Sequence, residues 1–258
     1  MKFRLFEFED KTWLPAIIRE GMMDYLRFIL NTANLYQPVS LKIVELLAHA
    51  KTKQVIDLCS GGGGTIEKIQ QNILNDYQQK VPFVLTDIFP NSNAYKYIQQ
   101  KTQGKISFVS TPVNAANVDV SLVGVRTIFS AFHHFDESVA AAVLKNAVTA
   151  KEPIGIFDGG DKNIFFILLI IFLHPIAFFV FTPFFRPFKW SRLLFTYIIP
   201  IIPLCAIWDG IVSITHLYTP TQLIAIATQV DADNYHWEAG KLKNKLGMRI
   251  SFLTGFPK

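Results

Sequence analysis

Apolar runs bounded by polar or glycine-rich turns recur along the chain at Val55–Leu58, Val84–Leu85, Ile106–Val109, Val125–Phe129 and Pro153–Phe157. Runs this short, without alternation, are the pattern of strands buried on both faces. Helix-compatible sequence separates them: Thr65–Gln71 follows the first run, and the segment through Asn146 opens on Asp136 and Glu137, acids that suit a helix N-terminus. Thr219–Thr228 predicts a late helix, and Tyr235–Lys241 with Ile250–Gly255 a final pair of strands. Upstream, Asp24–Leu30 is amphipathic and Leu41–Ala50 is an apolar-periodic helix begun by Ser40.

One block breaks this rhythm. Ile164–Phe185 is almost wholly apolar, and after Arg186, Lys189 and Arg192 a second apolar run extends from Leu193 to Trp208. Exposed to water it would far exceed the few hundred Å² of apolar patch that soluble monomers tolerate, so it must enter a membrane or a partner. The first run approaches the ~20 residues of a span, whereas the second is nearer ~16 and is broken by Pro200 and Pro203. The final strands must rejoin the sheet, so the block returns to the side it left. A complete crossing would carry the three cations outside, against the positive-inside tendency, whereas a hairpin in the cytoplasmic leaflet keeps them and Trp190 at the headgroups. Two crossings and a buried oligomer interface are the alternatives. Asp209 is expected to mark the return to water or to face a pocket.

With 258 residues, 50% hydrophobic and 14% aromatic, the chain can fill a large core. The 25 basic residues against 20 acidic give +5, a mild excess spread over both ends. That distribution is no nucleic-acid footprint, but it suits an anionic lipid surface. Cys59 and Cys205 offer neither a disulfide framework nor zinc spacing, which implies a reducing interior and no structural metal. The first ten residues hold Glu7, Glu9 and Asp10 and lack an apolar signal region, so the catalytic part is expected on the cytoplasmic side.

The candidate chemistry centres on Val55–Gly64, a strand running into four glycines and a helix N-terminus. A P-loop would need Gly-Lys-Ser/Thr, and Lys68 is misplaced for it. A dinucleotide fingerprint would need a third glycine where Ile66 stands. What remains is Asp57, a spacer and Gly-x-Gly, with Asp87 about twenty residues on, where a carboxylate reaches ribose hydroxyls. This pairing resembles class I S-adenosylmethionine-dependent methyltransferases, with Asp57–Gly63 as the first motif and Asp87 as the ribose acid. The resemblance implies a doubly wound, Rossmann-like α/β fold with a mostly parallel seven-stranded sheet. It also implies S-adenosyl-L-methionine as cofactor, held by Asp57, Ser60, Gly61, Gly63, Asp87, Ile88, Asn114, Ala115 and Ser130. Asn114 stands where the family has an acid for the adenine amine, and its amide oxygen can still accept that hydrogen bond. On this division residues 1–50 form a helical cap, 51–162 and 209–258 the methyltransferase domain, and 163–208 the inserted hydrophobic hairpin.

Ser130-Ala131-Phe132-His133-His134-Phe135 follows the fourth strand, at the carboxyl end where open α/β sheets place ligands. His133 or His134 could take a proton from an acceptor; either could instead cap a helix or pack. Neighbouring histidines in an extended segment point to opposite faces and so do not make a zinc site. Asp158, ending the fifth strand, could orient a substrate or cap the next helix. Glu9, Asp10, Trp13, Arg19, Tyr25, Arg27 and Tyr36 are the cap residues with chemistry to offer. Together with the Arg-Pro-Phe-Lys-Trp-Ser-Arg turn, the arrangement looks like a membrane-associated bacterial group of these methyltransferases, which implies methyl transfer without a metal. The expected partners are a hydrophobic or lipid-like acceptor and a membrane surface; the alternative is a membrane-docked cofactor-binding scaffold without chemistry.

Overall fold

The computed structural model describes residues 5–258. Its strands are β1 (Val55–Leu58), β2 (Phe83–Leu85), β3 (Ile106–Phe108), β4 (Val125–Phe129), β5 (Ile154–Gly159), β6 (Tyr235–Lys243) and β7 (Arg249–Pro257), in the sheet order β3-β2-β1-β4-β5-β7-β6. The first five run parallel, and β7 is antiparallel to both of its neighbours. Chain order reverses between β1 and β4, which puts the topological switch point at their carboxyl ends.

The helices are α1 (Ala16–Thr32), α2 (Val39–Ala48), α3 (Ile66–Tyr77), α4 (Ser92–Lys101), α5 (Glu137–Ala150), α6 (Ile164–Phe181), α7 (Trp190–Leu193), α8 (Ile201–His216) and α9 (Pro220–Val230). Because strand side chains alternate, Val55, Val125 and Phe157 bury against α2 and α3, while Ile56, Ile128 and Ile156 bury against α5 and α9. The sheet is therefore doubly wound.

Local chemistry fixes the helix ends. Asp136 caps α5 by accepting a hydrogen bond from Val139 N at 2.9 Å. Thr219 and Gln222 form a capping box at the start of α9. Ser40 does not begin α2 as expected: the helix starts at Val39 behind Pro38, and Ser40 is buried in its first turn. Proline already presets the helical φ there, so the start needs no hydroxyl.

The apolar insertion folds onto α1. Leu14, Ile18, Met22 and Tyr25 pack with Ala177, Phe178, Phe185 and Ile202 in a cluster separate from the two that cover the sheet. Tyr25 stacks on Phe178 with ring centroids 3.8 Å apart. The opposite face of α6 stays bare, with Ile164 at 68%, Phe172 at 68% and Ile176 at 59% exposure. Ile164–Phe184 is long and apolar enough to cross a membrane, whereas Trp190–Ile198 and Ile201–His216 meet at a 77° bend.

Three expectations for this region are corrected. The hairpin does not end at Trp208, because α8 runs through Asp209 to His216. Nor do all the turn's cations face outward. Arg192 is buried and bonds Asp24 of α1, and Lys189 bonds Glu20 at 2.6 Å, leaving Arg186 exposed. Asp209 does not mark a return to water either. It is 5% exposed, and its carboxylate accepts hydrogen bonds from Phe8 N at 2.7 Å and Glu9 N at 3.0 Å, stapling the N-terminal segment to α8.

Candidate active site

A cleft, open at its mouth, lies at the switch point between the carboxyl ends of β1 and β4 and the underside of α1. Its floor is the glycine loop. Gly61 (φ 53) and Gly63 (φ 94) occupy the left-handed region, and a Cβ would lie 2.7 Å from Met23 Sδ at Gly61 and 2.3 Å from Ile98 Cδ1 at Gly63. Gly63 is thus favoured by its left-handed φ, and it sits against Ile98 of α4 rather than on the cleft. Gly64 differs, since it lines the cleft and nothing would meet its Cβ within 4 Å.

Asp57 lies beneath the loop and not in the cleft. It is 2% exposed and accepts hydrogen bonds from Ser60 Oγ at 2.6 Å and Thr127 Oγ1 at 2.8 Å. Burial pushes its carboxyl up to about 7, with the nearby Asp87 charge adding to the rise against those two hydrogen bonds. Asp57 therefore holds the loop in shape. Asp87 does reach the cleft: Oδ2 accepts from Gly61 N at 2.7 Å and Oδ1 from Phe89 N at 2.8 Å. Each carboxylate oxygen has a second acceptor direction, so two hydroxyls can still be held. Ile88 and Phe89 form an apolar wall beside it.

On the other side Ser130 (φ 50) lines the cleft, with its Oγ hydrogen-bonded to Tyr36, whose hydroxyl accepts from Gly159 N at 2.8 Å. The histidines follow in a 3₁₀ turn, Phe132–His134. The turn overturns the expectation of opposite faces: the two rings sit side by side, 4.5 Å between centroids and 31° apart. Only His134 lines the cleft. His133 lies behind it, 4% exposed, with Nδ1 3.3 Å from Asp158 Oδ2, while its backbone N donates to the same carboxylate at 3.1 Å. Asp158 accordingly neither caps α6, where Asn163 does so, nor reaches the cleft; it braces the histidine turn.

His134 is caged by the N-terminal segment. Nε2 lies 2.9 Å from Glu9 Oε1, and Nδ1 lies 3.1 Å from Asp10 Oδ1 and 3.6 Å from Glu7 Oε2. Burial alone would lower its pKa, but the hydrogen bonds to Asp10 and Glu9 and the charges of Glu9 and Glu7 win and hold the imidazolium well above the usual range. At neutral pH His134 is then a hydrogen-bond-donating cation rather than a waiting base. Glu9 and Asp10, the carboxylates on the cleft that contact His134, are the groups beside it able to accept a proton.

No family model and no curated protein matches the chain. Among solved structures it is similar to the pyocyanin biosynthetic protein PhzM, with a TM-score of 0.50 and 11% identity over 88% of this chain and 57% of that one. An S-adenosylmethionine-dependent methyltransferase from Aquifex aeolicus aligns at TM-score 0.47 and 10% identity over 88% and 95%. LepI in complex with S-adenosylmethionine aligns at 0.48 and 15% over 83% and 46%, so the chain spans about half of LepI's length. The chain has the Rossmann-like fold of class I methyltransferases.

Within the methyltransferase fold, the predicted cofactor positions divide. Ser60, Gly61, Asp87, Ile88 and Ser130 come together on the cleft. Asp57 and Gly63 act from behind it, and Asn114 and Ala115 stay outside. Asn114 is exposed, and its Oδ1 accepts from Ala116 N at 2.9 Å, closing its own turn instead of reaching an adenine. Sequence reasoning missed Asn91. It lines the cleft and caps α4 through Oδ1 (3.1 Å to Ala94 N), while its buried Nδ2 makes no hydrogen bond among the described residues. Its only signal was a helix-capping residue type shortly after Asp87.

Proposed function

We propose that the chain binds S-adenosylmethionine and transfers its methyl group to a hydrophobic acceptor that partitions into a membrane. The observation that carries this reading is one helix with two faces in use: Met23, Leu26 and Leu30 of α1 line the cleft that holds the glycine loop and Asp87, while Ile18, Met22 and Tyr25 of the same helix support the apolar insertion. The residues suit the cofactor: Asp87 offers a carboxylate to ribose hydroxyls, Gly64 leaves open space, and Ile88 and Phe89 offer a flat apolar surface to a base. When bound, the cofactor supplies an already activated methyl group, so the protein's tasks are to orient the acceptor in line, exclude water and receive a proton where one is released. Met23, Leu26 and Leu30 of α1 with Phe129 and Phe135 give the acceptor side of the cleft its apolar character. Glu9 or Asp10 would take the proton, and the His134 cation would hold both carboxylates at the cleft wall by charge-assisted hydrogen bonds.

The insertion is read as monotopic, lying in the cytoplasmic leaflet. Arg192 at its turn bonds Asp24, and the adjacent residue of α1, Met23, has its backbone carbonyl 3.0 Å from where a Cβ on Gly62 would lie. The turn is thus held close to the cofactor loop, and a hydrocarbon core ~30 Å thick has no room between them. A non-catalytic scaffold would share all of this binding surface but lose the proton-handling groups, and those are present. The test is turnover: purified protein, labelled S-adenosylmethionine and a lipid extract should yield a labelled lipid-soluble product, seen as a gain of one methyl group by mass spectrometry. Cofactor binding without a labelled product from any extract would favour the scaffold.

A further inference from the structure

The N-terminal segment brings more than a lid over the histidine turn. Glu7, His133 and His134 each direct a ligand-type atom into one small volume, with the three atoms within 4.8 Å of one another. Two imidazoles and a carboxylate at that spacing form a donor set that suits a first-row transition-metal dication better than Mg²⁺ or Ca²⁺, which prefer all-oxygen cages.

The surroundings have the organisation that metal ligands need. Histidine ligands are oriented by an outer hydrogen bond from the other ring nitrogen. The Asp158 carboxylate sits 3.3 Å from His133 Nδ1, Glu9 sits 2.9 Å from His134 Nε2, and Glu7 Oε1 lies 3.1 Å from His216 Nδ1. Each of the three candidate ligands is therefore already turned by a partner on its far side. Asp10, 3.1 Å from His134 Nδ1, adds a fourth donor on the cleft side. Charge points the same way: Glu7, Glu9, Asp10 and Asp158 converge on this region, with imidazoles as their direct ionic contacts. Glu7 is 2% and Asp158 3% exposed, so little of that negative charge is relieved by water. The sequence hid the site, because two adjacent histidines look divergent until the 3₁₀ turn rotates them together and the chain's first described residues fold back over them.

We infer that Glu7, His133 and His134, with Asp10 at the cleft edge, bind one transition-metal dication such as Zn²⁺ or Mn²⁺, which displaces the proton that His134 carries in the metal-free protein. His134 and Asp10 line the cleft, so the ion would stand at its wall and could lower the pKa of an acceptor hydroxyl. That use rests on the methyltransferase reading; the binding site does not.

The experiment uses the full chain, stripped with chelator and titrated separately with Zn²⁺ and Mn²⁺ by calorimetry, followed by elemental analysis after desalting. One equivalent retained, with an X-ray absorption spectrum showing two imidazole ligands, is expected. Glu7→Gln and His134→Ala should each abolish retention, and Asp158→Asn should weaken it by about 10- to 100-fold as an outer-sphere change. Circular dichroism checks that the variants fold, and the absorption spectrum of the unmodified protein stands independently of them. Failure to retain either metal, or retention without imidazole ligation, overturns the site whatever the outcome of the methyl-transfer assay.

Discussion

Asp24→Asn tests the joint between the insertion and the body of the protein. Asp24 is fully buried, and three cations share its carboxylate: Arg192 in direct contact, Lys189 at 3.4 Å and Arg27 at 3.6 Å. Lys189 also has Glu20 at 2.6 Å and Arg27 has Glu67 at 3.5 Å, so both keep a partner when Asp24 is neutralised. Arg192 does not. It is 2% exposed, and its other hydrogen bonds go to the neutral carbonyls of Phe185 and Pro187. Removing one partner of a buried pair costs about 3–5 kcal/mol, because the remaining charge is stranded. For a chain of this size each kcal/mol moves the melting temperature by roughly 2–4 °C, which gives a fall on the order of 6–20 °C in detergent or nanodiscs. Arg192→Met in the Asp24→Asn background should recover much of the loss, since a well-packed apolar replacement of a buried pair is often close to neutral. Were the turn carried across a bilayer, Arg192 would be far from α1 and Asp24→Asn would leave the melt unchanged. A shift within 2 °C of wild type would refute the packing and with it the case for a monotopic hairpin.

The other predictions concern the cleft and its supports. Asp87→Ala should weaken S-adenosylmethionine binding by about 1.5–3 kcal/mol, roughly 10- to 150-fold, measured by calorimetry. Asp57 carries its proton up to about 7, so between an unfolded carboxyl near 4 and that value the folded state holds a proton the unfolded state has lost, and stability falls as pH rises through this window. Asp57→Asn should remove that slope, on the order of 4 kcal/mol, and flatten melting temperature between about pH 4 and 7 relative to wild type. His134→Gln should lower turnover about 10²- to 10³-fold with cofactor affinity within a few-fold, whereas His133→Gln, behind the cleft, should act first on stability. A cysteine placed at Ser191 should resist an impermeant thiol reagent in intact cells and react after lysis.

The parallel sheet was legible because each buried strand announces itself by an apolar run, and the starts of α5 and α9 by a capping type, so β1, β4, α5 and α9 fall where the pattern placed them. The cleft floor was legible for the same local reason: Gly61 and Asp87 are a loop and a strand end at fixed separation. Asn114 was misread because position in a motif does not say where a side chain finds its hydrogen bond, and the nearest donor was Ala116 N, two residues away. Asp158 was ambiguous until the competing cap, Asn163, took α6. The cage around His134 could not be read, since its carboxylates lie more than a hundred residues upstream and the backbone between carries no periodic signal linking them.

That cage also explains why the insertion and the chemistry need not be separate devices. Phe8 and Glu9 donate their backbone N–H groups to Asp209 of α8, and Ser213 of the same helix donates to Glu7 Oε2 at 2.7 Å. The same short segment then presents Glu9 and Asp10 to His134 on the cleft. Asp209 keeps its proton up to about 7 because burial dominates, with the Glu9 and Glu7 charges adding to it against the Phe8 and Glu9 amide bonds. A shift of α8 therefore cannot leave the carboxylates in place: moving Asp209 by the length of one hydrogen bond either drags the segment along or strands a buried carboxyl, at a cost of about 1–3 kcal/mol for each lost partner. On the monotopic reading proposed above, seating of the apolar hairpin and the placement of the cleft's acids are one equilibrium, and a lipid that favoured the seated hairpin would favour the assembled site by the same free energy.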